Sequence, residues 1–201
     1  MTATTARPKV RRAGRLGVLA TITAVTAGVL GAAPASAADK EVTWTAAFPI
    51  IGDQQVKSVI HTDIPATVKV GETVSVPFSI DADAGDVAAD GLRLIGGTKI
   101  SGSIRGSVVL TVSNGKSLPL AINVPIPETP VPPQGPLKFT ASGKVDLTIP
   151  TGVPTGPAKS AVGPKATSHV VTDSGLGEFD VDLALDPPAQ DTLLGTTDVQ
   201  G

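Results

Sequence analysis

The chain predicts an all-β protein, an immunoglobulin-like two-sheet antiparallel β-sandwich, and three observations carry that expectation. Apolar and polar residues alternate over segment after segment, the period of a strand with one buried face. Gly and Pro, 22 and 18 of 201 residues, punctuate those segments at short intervals. Beyond the N-terminal region no segment repeats its apolar residues at helical spacing. Nine or ten short strands divided in this way favour a sandwich over a parallel α/β fold, with a small β-barrel as the alternative.

The N-terminal region is a different kind of segment. Arg7, Lys9, Arg11, Arg12 and Arg15 precede an apolar run from Leu16 to Gly31 and then Ala35-Ser36-Ala37. A basic segment, a short apolar one and small residues three and one before the cut define a cleaved signal peptide, here residues 1–37. The run falls short of the roughly 20 apolar residues that span a bilayer. The expectation is therefore a secreted, extracellular protein with no stable membrane anchor after cleavage. Arg11-Arg12 raises twin-arginine export, but the Ala-Gly-Arg that follows lacks the apolar pair usual there, and an ordinary basic segment is the simpler reading.

Cleavage changes the charge. The leader holds five of the 16 basic residues and none of the 18 acidic ones, which leaves the 164 mature residues at a net charge of −7. Nucleic acid is excluded as a partner, because phosphate binding needs clustered Lys and Arg. A chain of this size buries a sizeable core without staples. It has no cysteine, which excludes structural disulfides, thiol catalysis and Cys-ligated metal.

Taken in order, Glu41 to Gly52 (EVTWTAAFPIIG) suits a first strand and a bend, and Gln54 to Thr62 a second strand. Ile64-Pro65 and Val70-Gly71-Glu72 bracket a short third strand. Val74, Val76, Phe78 and Ile80 alternate with Ser75, Pro77 and Ser79, and Pro77 predicts an edge or a bulge because its ladder donor is missing. Asp81 to Asp90 reads as an acidic loop. Ile100, Ile104, Val108, Leu110 and Val112 share a parity, with Gly102 and Gly106 predicting bulges. Asn114-Gly115 is a hairpin turn, since both residues tolerate φ > 0. The return strand places Leu118 to Ile126 on one face and Pro119 and Pro125 on the other, again an edge.

Pro125 to Pro136 (PIPETPVPPQGP) has six prolines in twelve residues and predicts an extended crossover. Alternation runs up to Ile126 and restarts at Leu137, which suits a crossover within one domain, residues 38–201, better than a tether. Leu137 to Ile149 keeps one parity. TGVPTGPAKSAVGP reads as flexible, and Phe179, Val181, Leu183 and Leu185 mark the last clear strand.

Several phrases together carry a resemblance: AAFPIIG (46–52), DIPATVKVGE (63–72), LRLIGGTKISGS (92–103), IPETPVPPQGPLKFTASGKV (126–145) and LDPPAQDTLL (185–194). The sequence resembles an actinobacterial secreted family known only as a domain of unknown function. The resemblance implies the all-β fold and is silent on chemistry. It also implies a cysteine pair in other members at the places held here by Ala46 and about Leu183. If a bridge joins them there, Ala46 and Leu183 lie close together here and pack as apolar groups.

Candidate chemistry is sparse. The best metal candidates are Asp81, Asp83 and Asp86, with Asp90, because DADAGD is similar to a calcium loop. An EF-hand, however, needs Asp or Asn where Gly85 stands, Gly at Asp86 and Glu at Leu92, so a solvated acidic turn is the preferred reading. His61 with Asp63 could form a base and its orienting acid, but no nucleophile elbow accompanies them. His169 is the only other histidine. One Trp, Trp44, and no Tyr leave few rings for stacking on sugars or bases. The face Asp180, Asp182, Asp186 could meet a basic partner, or simply be solvated.

The functional expectation is a secreted, non-enzymatic interaction or structural module at the cell envelope or outside it, with a cell-wall or secreted protein partner and no cofactor. The alternatives are a secreted hydrolase with a dispersed site, or a carrier with an apolar pocket between sheets.

Overall fold

Alternation sets the strands, and the strands set the core. The structure is a computed structural model and describes residues 36–201. Its elements are β1 (Ser36–Phe48), β2 (Gly52–Ile64), β3 (Thr67–Lys69), β4 (Thr73–Ala84), α1 (Gly85–Leu94), β5 (Lys99–Thr111), β6 (Ser117–Pro130), β7 (Leu137–Thr148), β8 (Gly156–Val162), β9 (Lys165–Thr172), β10 (Glu178–Leu185) and β11 (Leu193–Gln200). The predicted leader lies outside the described residues except for Ser36 and Ala37, which open β1 opposite Ile64 and Asp63.

The all-β class stands, but the ladders join the strands into one sheet where the sequence predicted two. The order is β3-β11-β8-β5-β9-β10-β1-β2-β4-β7, with β6 along the other edge of β5. Along its remaining edge β5 serves two neighbours, β9 at residues 100–105 and β8 at 108–111. Gly163 sits at that division and donates its N–H to Ser107 O at 2.8 Å. A Cβ there would fall 2.2 Å from Ser107 Oγ, so only glycine fits.

The sheet curls around a core without closing into the alternative barrel. Val124 and Ile126 of β6 share one cluster with Val145 and Leu147 of β7, and the two strands run side by side with no ladder between them. The reason is in the sequence of β6. Pro119 and Pro125 stand opposite Val109 and Ser103 of β5, where they cost that ladder nothing only at non-hydrogen-bonded positions. Their missing donors therefore face β7, and the seam stays open.

Five local expectations need correction. The supposed acidic loop is the end of β4 followed by α1, whose Ala88, Ala89 and Leu92 are buried. Proline does not end β6 at Pro125; the strand continues to Pro130, because an edge strand needs donors on one side only, and the crossover shrinks to Val131–Pro136. Pro77 lies in an interior strand: the β2 ladder stops at Thr62–Phe78, one residue short of it, so the absent N–H removes no rung. The stretch read as flexible contains β8, which buries the small residues Ala158 and Ser160. Gly102 does mark a register shift, whereas Gly106 stands in regular pairing with Ile122.

A second, smaller cluster gathers Val68, Leu110, Val112, Ile149, Ala158 and Val199 at the far end of β5. The Asn114-Gly115 hairpin closes there, with Gly115 at φ 80 and its N–H donating to Val112 O at 2.8 Å.

Candidate functional site

The end of the sheet away from that hairpin does not fill itself. There β1 turns into β2 through Pro49, Ile50 and Ile51, β4 leaves the sheet into α1, and the β9–β10 connection passes Leu176. These segments cap an apolar pocket of about 80 Å³. Its walls include Phe48, Phe139 and Phe179, three of the four phenylalanines, together with Ile100, Ile104 and Val181. Residue parity puts all of them on the inward face.

The cap is held by backbone geometry and one cation. Asp83 Oδ1 accepts the Gly85 N–H at 3.0 Å, and Gly85 takes φ 79, which turns the chain out of β4. Gly91 lets the helix close on the turn: a Cβ there would lie 3.1 Å from Ile51 Cγ2. Arg93 pairs with Asp90 and donates through Nη1 to Pro132 O at 2.6 Å, pinning α1 to the proline crossover. Leu94 and Ile50, 86% and 60% exposed, stand at the two sides of the cap.

The floor is where the pocket departs from a plain apolar void. Ser58 and Ser168 line it, each 6% exposed. Ser168 stands between Ile104 on β5 and Val181 on β10, and its Oγ has no hydrogen-bond partner. A buried hydroxyl left in this state costs about 1–3 kcal/mol. The only other such atom among the described residues is Thr197 Oγ1, on a residue beside a cavity of about 20 Å³. No ionisable side chain lines the pocket beneath α1.

None of the carboxylates and histidines singled out from the sequence lines the pocket. Asp81 accepts from Thr140 Oγ1 at 2.6 Å and from His61 Nε2 at 3.1 Å, while Asp83 pairs with Lys138 at 3.1 Å. Asp86 begins α1 and Asp90 engages Arg93, so strand and helix divide the four carboxylates. Among the described residues no group of three or more His, Asp or Glu is placed to hold a metal.

His61 is not paired with Asp63. Its Nδ1 donates to Asp39 Oδ1 at 2.7 Å and its Nε2 faces Asp81, so both nitrogens are engaged by carboxylates. The bond to Asp39 is foremost in raising the His61 pKa; burial opposes it, and the bond to Asp81 adds to the rise. The Thr140 hydroxyl, with His61, lowers that of Asp81. His169 is placed in the same way, with Asp180 at 2.8 Å and Glu178 at 3.7 Å. Asp182 accepts from Thr167, and Asp186 from Thr45 and Gln55. Trp44 is buried in the core.

An apolar pocket between sheets was among the alternatives, but its place was not legible because its signal is weak: a serine on an inward parity, Val56-Ser58-Ile60 and Ser168-Val170, in place of an apolar residue. Fold and site together define a curled, open all-β sheet with an apolar pocket capped by one short helix. The chain belongs to a family of unknown function, DUF6801, whose pattern matches residues 43–195. No curated protein matches it.

Proposed function

We propose that the protein is a secreted, non-catalytic module that binds a small apolar ligand in the pocket beneath α1, at the cell envelope or outside it. The observation that carries this reading is the pocket itself, apolar and free of ionisable groups. A hydrolase needs ionisable groups converging on its site, and none lines this pocket. The leader in residues 1–37 supports secretion. Two facing layers of an immunoglobulin-like sandwich describe the curled sheet, and the core shared by β6 and β7 supports that description.

The test is titration with n-hexane followed by methyl NMR. Ile100, Ile104 and Val181 should shift saturably, and Ala88→Leu, which fills the pocket from the helix side, should abolish the shifts while the buried Trp44 keeps its fluorescence. Uniform, non-saturable shifts would overturn the reading.

A second reading, an interaction module for a cell-wall or secreted protein partner, draws on the acidic face Asp180, Asp182, Asp186 and the exposed Ile50 and Leu94. Retention of mature protein on cell-wall fractions, lost on charge reversal of that face, is its test.

A further inference from the structure

We infer that the outward face of α1, with the β1–β2 turn beside it, is a docking surface for a polypeptide segment that presents one aliphatic side chain between Lys or Arg residues. This rests on the second reading, the interaction module, and goes further by assigning the place of contact and the chemistry of the partner.

Helical spacing sets the stripe. Ala88, Ala89 and Leu92 turn inward, so the opposite side of the helix belongs to Val87 and Leu94, about 10 Å apart along its axis. The outward face of a surface helix is ordinarily polar, yet Val87 is 50% and Leu94 86% exposed. Gly91 completes the i, i+4, i+7 row and leaves a gap between them. Ile51 closes one side of that gap, with its Cγ2 3.1 Å from where a Gly91 Cβ would stand, and Ile50 is exposed next to it. This small area thus holds three of the five large apolar side chains exposed among the described residues, which marks a contact surface. Both sides are held in place, since Gln54 Nε2 donates to Ile51 O at 3.0 Å and Arg93 Nη1 to Pro132 O at 2.6 Å. A partner meets a surface already formed.

Charge selects the occupant. The turn and helix segments, residues 49–54 and 85–98, carry Asp53, Asp86 and Asp90 against a single cation, Arg93, which Asp90 and the Pro132 carbonyl engage. Asp53, just past the turn, and Asp86, in the first turn of the helix, are exposed and have no cation within these segments. A second copy in a two-fold dimer would bring the same carboxylates onto themselves. An anionic lipid surface or a phosphate would be repelled. A segment with Lys or Arg on each side of an aliphatic residue complements both carboxylates, and the aliphatic group seats over Gly91 between Val87 and Leu94.

The probes are three pentapeptides with acetylated and amidated ends, Lys-Lys-Leu-Lys-Lys, Lys-Lys-Ser-Lys-Lys and Glu-Glu-Leu-Glu-Glu, and vesicles of phosphatidylcholine. In amide NMR titrations the first peptide should shift Ile51, Gly91 and Leu94 saturably. The second should bind about tenfold more weakly, as fits the partial burial of one leucine, and the third and the vesicles not at all. Leu94→Ser should weaken the first peptide about tenfold and Asp86→Asn about twofold, with the emission of the buried Trp44 unchanged in both. Equal binding of the Leu and Ser peptides, or equal binding by Leu94→Ser and the wild type, would overturn the inference, as would association with the vesicles in place of the first peptide. Saturable shifts at Asp180, Asp182 and Asp186 instead would move the partner to that face, so that the assignment fails while the interaction reading stands. If no peptide binds, the inference fails, and if cell-wall fractions also retain nothing, that reading fails with it.

Discussion

Ala46 on β1 stands directly opposite Leu183 on β10 in the antiparallel ladder, both on the inward face. Ala46 is fully buried, and Leu183 packs on the same core. These are the two positions at which the family resemblance implied a cysteine pair, so the register puts them within reach of one another. Directly opposed Cβ atoms in such a ladder lie about 4.5–5.5 Å apart, close to what a disulfide requires.

The double variant Ala46→Cys/Leu183→Cys is therefore expected to oxidise to an intramolecular disulfide in air. Intact-mass measurement before and after reduction reads it directly. Two persistent free thiols in a folded protein would contradict the register. Because Leu183 also lines the pocket, the same variant should bind n-hexane differently from the wild type.

Ser168→Ala is expected to stabilise the unliganded protein by about 1 kcal/mol, because it removes an unpaired buried hydroxyl and keeps the packing of its neighbours. Urea unfolding followed by Trp44 fluorescence measures it. A loss of stability would mean that the hydroxyl is satisfied and that the pocket is read differently.

The His61 cluster gives the fold a pH signature whose sign follows from the two shifts. The His61 pKa is raised above 6.5, so its contribution is complete below that value and disappears as pH climbs through the elevated folded pKa. The Asp81 pKa is lowered below 3.8, so its contribution is present above that value and disappears as pH falls through the depressed one. The cluster is thus most stabilising between about pH 4 and 6.5. His61→Ala should lower the urea midpoint more at pH 5.5 than at pH 9, and an equal loss at both would remove the ion-pair account.

Asp173 ties the start of β5 to the β9–β10 connection near the pocket cap. It accepts the backbone N–H groups of Thr98 at 2.8 Å and Lys99 at 3.2 Å as well as the Thr98 hydroxyl, and the hydroxyl bond comes first in bringing its pKa down to about 2. Its contribution is present above 3.8 and lost as pH falls toward 2. Asp173→Asn should lower the urea midpoint at pH 7 and approach the wild type at the acid end of that window. A difference that stays constant through it would contradict the assignment.

What the sequence could carry was parity. Leu137 to Leu147 reads as one strand because each second residue is apolar, and β7 follows it from Leu137 to Thr148. The Asn114-Gly115 turn was legible because its backbone requirement is local. Helix α1 was not: its buried face is Ala88, Ala89 and Leu92, and two alanines among four Asp and Gly residues make a faint stripe. Its end signals, Asp86 in the first turn and Arg93 in the last, could have raised it. The prolines of β6 did announce an edge, but periodicity could not foresee that this edge would lie along β7 and keep the sheet from closing. That depends on which strand lies alongside, a fact of tertiary structure.

The candidate site was illegible for a related reason. Charged and aromatic residues draw attention in a sequence, yet the carboxylates and histidines pair with each other on the outer face and the single Trp packs in the core. The pocket is made by what the cap segments fail to fill, and only Ser58 and Ser168 break the apolar pattern around it.

The most direct measurement is diffraction from crystals pressurised with xenon, an apolar probe that enters enclosed apolar space. The account predicts a xenon site between α1 and the Ser58–Ser168 floor, against Ile104 and Val181, that disappears in Ala88→Leu. Xenon absent from that space, or bound only elsewhere, would contradict it.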